Sequence, residues 1–190
     1  MGRIGMLGGT FDPPHNAHLA MAERAMRDCA LERVLFLPAP DPPHKHPASS
    51  YATRAAMVQL AVDGKPGMEL SRLEELRAGP SYTVDLLERY RSAHPDDEIY
   101  FIMGSDSLRD LASWRRPERI RELATLVVFS RPGAEAAPTA GSGAPGIILA
   151  GPMTDISSRE IRRMVRAGQS IRSCVPEAVC NFILDNALYS

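Results

Sequence analysis

The residues with the most chemistry in this chain lie in one run near its start: Gly8-Gly9-Thr10-Phe11-Asp12-Pro13-Pro14-His15-Asn16-Ala17-His18. A short apolar stretch, Ile4-Gly5-Met6-Leu7, precedes it, and Leu19, Ala22, Met26 and Cys29 follow at helical spacing. The pattern reads as strand, loop, helix. Two glycines let the backbone turn tightly and approach a ligand closely. With Asn16 as the helix cap, His18 falls in the first turn and His15 just before it. Free backbone N–H groups and the positive end of the helix dipole make such a place an anion site. A purely structural turn would need the glycines and prolines but not both histidines.

Two chemistries suit His15-x-x-His18. As a metal pair it would need a third protein ligand, which Asp12, Asp106, His44 or His46 could supply only through the fold. As donors to phosphate, the imidazoles would stabilise the negative charge that gathers on a pentacovalent phosphorus. The second reading is preferred, and no metal ligand is assigned. The chain has no G-x-x-x-x-G-K-[ST] loop, no G-x-G-x-x-G after the first strand and no G-x-S-x-G elbow. P-loop hydrolysis, hydride transfer and α/β-hydrolase chemistry therefore lose support.

The elements that must position these residues alternate along the chain. Strands are expected at 3–7, 33–37, 68–71, 98–103, 125–129 and 147–150, several of them continuous apolar runs such as Leu126-Val127-Val128-Phe129. Such runs fit strands covered on both faces. Helices are expected at 17–30, 50–63, 83–94, 117–123, 157–168 and 176–186. This alternation predicts an α/β fold, a Rossmann-like open parallel sheet with helices on both faces. The proline-rich stretch 38–47 and the Pro-, Gly- and Ala-rich stretch 132–146 read as loops. Polar residues cluster after the strands: Gly8 to His18, then His44 and Lys45, Ser81 to Thr83, Gly104 to Ser107, and Ser157 to Arg159. In open parallel sheets ligands bind outside the carboxyl ends of strands, so five segments would converge on one crevice.

Composition narrows the partners. A length of 190 residues suits one sizeable core. A net charge of -1 argues against a basic nucleic-acid-binding surface. No apolar run reaches transmembrane length, and no signal peptide is evident. Three cysteines, Cys29, Cys174 and Cys180, form no C-x-x-C pair and suit a reducing, cytoplasmic setting. A homo-oligomer is compatible with the sequence.

The loop Gly8 to His18 resembles the G-G-T-F-D-P-x-H-x-G-H signature of the nucleotidyltransferase superfamily. Within it, the chain resembles the bacterial nicotinate-nucleotide adenylyltransferases. Similar pieces recur in order: Pro43-His44-Lys45, Gly79-Pro80-Ser81-Tyr82-Thr83-Val84-Asp85, Phe101 to Leu108, Trp114, Ile156 to Arg162, and the tail from Val175 to Tyr189. Two positions depart from the pattern. Ala17 stands where the family has glycine, and Arg159 where it has threonine.

The resemblance implies adenylyl transfer from ATP to nicotinate mononucleotide, with Mg²⁺ arriving on the ATP. It implies catalytic roles for Thr10, His15 and His18. Gly8, Gly9, Phe11, Gly104, Asp106, Ser157, Ser158 and Arg162 would join them around ATP. His44, Lys45, Tyr82, Thr83 and Trp114 would hold the mononucleotide: Trp114 against the pyridinium, and the α-helix N-terminus at Thr83 on the carboxylate. Arg115, Arg116, Arg119 and Arg121 read as a solvated face, and Arg131 as a lesser ligand contact. A single domain is expected, with residues 156–190 as a small helical subdomain.

Overall fold

The computed structural model describes residues 1–43, 46–75, 79–130, 146–150 and 156–190. Six strands form: β1 (Arg3–Gly9), β2 (Arg33–Pro38), β3 (Met68–Leu70), β4 (Glu98–Gly104), β5 (Thr125–Ser130) and β6 (Gly146–Ala150), with the longest apolar runs in β2, β4 and β5. All neighbouring pairs are parallel, in the order β3-β2-β1-β4-β5-β6. Gly9 lies opposite Pro38, and Gly104 opposite Phe129, so the carboxyl ends of the central strands share one edge. The winding direction reverses between β1 and β4, and that reversal opens a crevice beyond their ends.

Helices cover both faces: α1 (Asn16–Asp28), α2 (Tyr51–Val62), α3 (Thr83–Ala93), α4 (Ser105–Asp110), α5 (Pro117–Leu123), α6 (Ser158–Arg166) and α7 (Glu177–Asp185). Side chains alternate across each strand. Ile4 and Met6 therefore join one core with Leu87 and Ile120, under α3 and α5. Leu7 joins the other, with Leu19, Met57, Ile161 and Val179, under α1, α2, α6 and α7. Residues from α6 and α7 are thus part of the main core rather than resting on it.

The expected strands and helices all appear, with ends shifted by a residue or two. One helix was not expected. After β4 the chain turns directly into α4, then a 3-10 turn at Leu111–Ser113. Six residues are too few for a 3.6-residue period to show. The stretch 132–145, His44, Lys45 and Arg131 lie outside the described residues.

Gly5 shows how tightly the α1 side of the sheet is packed. A Cβ there would sit 2.7 Å from Val34 Cγ2 and 2.9 Å from Leu31 Cδ1. Neither neighbour is free to swing away, since both are core residues. Gly5→Ala is therefore expected to cost about 1–3 kcal/mol through overpacking, seen as a lower midpoint in urea unfolding. An unchanged midpoint would mean the sheet relaxes freely at this point.

Candidate active site

The loop after β1 is held from several sides. Phe11 adopts a left-handed backbone, φ 52°, yet its side chain is only 2% exposed. A left-handed non-glycine residue costs roughly 1–2 kcal/mol, and burying a phenylalanine returns about 1.5–3 kcal/mol. The ring lies over Gly9, where a Cβ would come within 3.1 Å of it. Glycine at position 9 therefore makes room for a side chain of the protein itself. The Asp12–Pro13 peptide is cis.

The two histidines lie side by side. Their rings stack with centroids 3.7 Å apart and planes 23° apart, and Phe11 meets His18 edge-on at 5.0 Å. The His15 backbone N–H donates to His18 Nδ1 at 3.2 Å, which fixes the His18 tautomer with its proton on Nε2. His15 is 6% exposed, and burial pulls its pKa down to about 4. It is therefore neutral near pH 7 in this structure.

Asn16 does not cap α1. The helix starts one residue earlier than expected, with His15 at the N-cap. Asn16 instead anchors the helix start. Its backbone N–H donates to Cys174 O at 2.9 Å and its Nδ2 to Ser173 O at 3.0 Å. Ala17 is 7% exposed, so its methyl is packed in the protein interior.

Carbonyls of this loop are taken by cationic and hydroxyl donors from distant elements. Arg54 of α2, 1% exposed, donates from Nη1 to Thr10 O (2.7 Å) and Ala39 O (2.8 Å). It also donates from Nη2 to Pro40 O at 3.2 Å and from Nε to Ser49 O at 3.3 Å. Burial lowers its pKa, while the nearby Asp12 carboxylate acts the other way. Ser158 Oγ donates to Pro13 O at 2.8 Å, and Arg162 Nη1 to Asp12 O at 2.6 Å. Ser157 caps α6 by accepting from the Glu160 N–H at 3.2 Å. Arg159 is exposed at the same helix start.

The crevice continues past β4. Gly104 precedes α4, with open space where a Cβ would be. Asp106 pairs with Arg109 on that helix. The Phe101 ring stands 3.6 Å from the Gly8 Cβ position and meets Trp114 edge-on, with centroids 6.3 Å apart. One aromatic ring thus separates the glycine loop from the half-buried tryptophan. Tyr82 is the N-cap of α3 and Thr83 its first residue. The Arg115 guanidinium lies 4.9 Å over the Tyr82 ring and 3.5 Å from Asp85. Ser81 N–H donates to Asp41 O at 2.8 Å, joining the α3 start to the loop after β2.

Among the sequence-predicted residues, Gly8, Gly9, Thr10, Phe11, His15, His18, Ser157, Ser158 and Arg162 surround the β1 loop. Gly104 ends β4 and Asp106 follows it on α4, Tyr82 and Thr83 open α3, and Trp114 comes after the 3-10 turn, edge-on to Phe101 of β4. The arginine cluster is half-exposed but not idle. Arg116 and Arg119 reach Glu88 at 3.2 and 3.1 Å, which ties α5 to α3 and holds the Glu88 carboxyl below its usual range. Sequence reasoning missed Arg54 and gave Asp12 only a place among metal ligands. A signal existed for Arg54: with Met57, Val58 and Ala61 it occupies the i, i+3, i+4, i+7 stripe that should be apolar. Among the described residues, no group of three or more His, Cys, Asp and Glu side chains is placed to hold an ion.

A Rossmann-type sheet with an imidazole-bearing loop at its switch point defines a nucleotide-handling α/β protein. The cytidylyltransferase-like family model matches residues 6–164. A probable nicotinate-nucleotide adenylyltransferase of Thermus thermophilus is 46% identical, covering 98% of this chain and 99% of its own. Its counterpart in Thermomicrobium roseum is 44% identical over 100% and 92% of the two chains. The Plasmodium falciparum nicotinic acid mononucleotide adenylyltransferase, solved with NaAD, superposes with a TM-score of 0.85 at 21% identity, over 100% of this chain and 98% of that one. That likeness establishes the fold. The chain belongs to the cytidylyltransferase-like nucleotidyltransferases, among the nicotinate-nucleotide adenylyltransferases.

His15 also gives the site a pH signature. Its folded pKa of about 4 lies below the ordinary value of 6.5. The unfolded chain therefore takes up the proton more readily. Stability from the neutral buried ring is fully present above pH 6.5 and is lost as pH falls toward 4. A pKa lowered from 6.5 to about 4 corresponds to a loss of about 3 kcal/mol, complete once pH is below 4. Urea unfolding at pH 7 and pH 4.5 should show a smaller difference in His15→Asn than in the parent. An equal difference would mean His15 is not the responsible group.

Proposed function

We infer that this chain transfers the adenylyl group of ATP to nicotinate mononucleotide, releasing pyrophosphate and forming nicotinate adenine dinucleotide, a step of NAD biosynthesis. The observation that carries the reading is the stacked His15–His18 pair on a glycine loop at the sheet's switch point. Relatives that are probable nicotinate-nucleotide adenylyltransferases, 46% and 44% identical over nearly the whole chain, support the substrate.

A phosphate oxygen of the mononucleotide attacks the α-phosphorus. The bond from that phosphorus to the oxygen bridging to the β-phosphate breaks, and pyrophosphate carries the electron pair away. The nucleophile is already anionic, so no general base is required. The protein's tasks are to hold two anions together and to stabilise charge where it develops. Orientation alone supplies up to about 7–11 kcal/mol in well-aligned cases.

Thr10, His15 and His18 donate to the ATP phosphates in this proposal, with Mg²⁺ entering on the nucleotide. Gly8, Gly9, Phe11, Gly104 and Asp106 line the adenosine side. The N–H groups opening α6 at Ser157 and Ser158 receive the outer phosphates. Ser158 and Arg162, which donate to the Pro13 and Asp12 carbonyls, hold the loop against that helix. His44 and Lys45 take the mononucleotide phosphate. Tyr82 and Thr83 at the start of α3 grip the carboxylate, and Trp114 faces the pyridinium.

Pyrophosphate release with ATP and a panel of acceptors tests the reading. Nicotinate mononucleotide should be preferred over nicotinamide mononucleotide and phosphopantetheine; equal or reversed rates would overturn the substrate assignment. His18→Ala should lower turnover at least ~100-fold, as loss of a transition-state donor does, with the fold intact by circular dichroism. Near-normal turnover would remove His18 from the catalytic set. Trp114→Ala should raise KM for the mononucleotide well beyond that for ATP. Matched losses on both substrates would make the tryptophan structural.

A further inference from the structure

Asp12 is the most enclosed carboxylate beside the β1 loop, 1% exposed, and it takes no direct part in the proposed chemistry. Both of its oxygens are engaged. Oδ2 accepts from the Ala48 N–H at 2.6 Å, and Oδ1 accepts from the Tyr189 hydroxyl at 2.6 Å. Tyr189 is 177 residues away in sequence and sits beyond the last helix. Its ring is drawn into the core containing Met57, and its oxygen lies 3.9 Å from Met57 Sδ. Burial and the Asp12 carboxylate push the phenol's pKa upward, so the hydroxyl remains a donor throughout the working pH range.

Asp12 follows Phe11 and precedes Pro13, three residues before His15. Its carboxylate is pinned by α7's downstream segment and by the segment before α2. Its own carbonyl is pinned by Arg162 of α6. Loss of the Tyr189 donor would leave a buried carboxylate oxygen without its partner, and the backbone of residues 11–13 would move to recover one. That backbone sets where Thr10 and His15 stand. We propose that Tyr189 is a positioning residue, which sets the geometry of the phosphate-binding loop through its hydrogen bond to Asp12.

The proposal rests on the adenylyl-transfer reading for its kinetic consequence but not for its structural one. Tyr189→Phe keeps the ring and removes only the donor. Expected is a ~10-fold fall in kcat/KM for MgATP, KM for nicotinate mononucleotide within about twofold, and a melting temperature within a few degrees of the parent. Hydrogen exchange should quicken in the peptide covering residues 10–18 while the β4 and β5 peptides are unchanged. Asp12→Asn combined with Tyr189→Phe should be no worse than Asp12→Asn alone, since the bond that Tyr189→Phe removes is already altered in Asp12→Asn; additive losses would overturn the coupling.

Unchanged exchange in residues 10–18 together with unchanged kinetics would overturn the proposal. So would equal losses for both substrates accompanied by a large fall in melting temperature, which is the mark of a merely structural tyrosine. If the parent chain shows no adenylyl transfer yet Tyr189→Phe loosens residues 10–18, the functional reading fails while the positioning role stands.

Discussion

A buried guanidinium organises the crevice. Taking the Arg54 charge out of water costs several kcal/mol. Four bonds to backbone carbonyls, each worth about 1.5–3 kcal/mol when a charge is involved, offset it. The partners come from two loops. Thr10 belongs to the loop after β1, while Ala39, Pro40 and Ser49 belong to the stretch after β2. Those loops leave adjacent strands, and among the described residues the Ala39 N–H to Gly9 O bond of 2.9 Å is the backbone–backbone bond that joins them. Arginine fits because its planar fork presents several donors in fixed directions; a lysine would offer a point charge that cannot span them.

The same logic extends to the other side of the loop. Ser158 and Arg162 supply donors from α6, Tyr189 from beyond α7, and Ser173 and Cys174 accept from Asn16. A proline-containing loop with few internal bonds is therefore shaped by what surrounds it. Its stability is that of the whole core on the α1 face, which α6 and α7 complete through Ile161, Val179 and Ile183. The α3 and α5 face is separately cross-braced, by Glu88 with Arg116 and Arg119. Those pairs are half-exposed and individually weak, and they join α3 to α5 two residues past Trp114.

The sheet and its helices were legible because apolar runs and helical stripes are local signals. The loop Gly8 to His18 was legible for the same reason: its residue types are unusual for a turn. What stayed hidden depends on tertiary closure. Asn16 looked like a cap, yet the turn at Ser173 and Cys174 offers its side chain a different partner. Arg54 broke the apolar stripe of α2, a visible anomaly whose meaning needed four carbonyls from other segments. Tyr189 carries no local mark, since its partner lies at the opposite end of the sequence. The short helix α4 falls below the length at which periodicity can speak.

Gly9 and Phe11 are coupled by volume. The absent side chain at one position is the space occupied by the ring at the other. A methyl at position 9 would stand 3.1 Å from that ring, which would have to give by a few tenths of an ångström and carry with it the edge that meets His18. Tolerance at position 9 is therefore set by the freedom of a neighbouring aromatic side chain, not by the positive backbone angle for which glycine is usually needed.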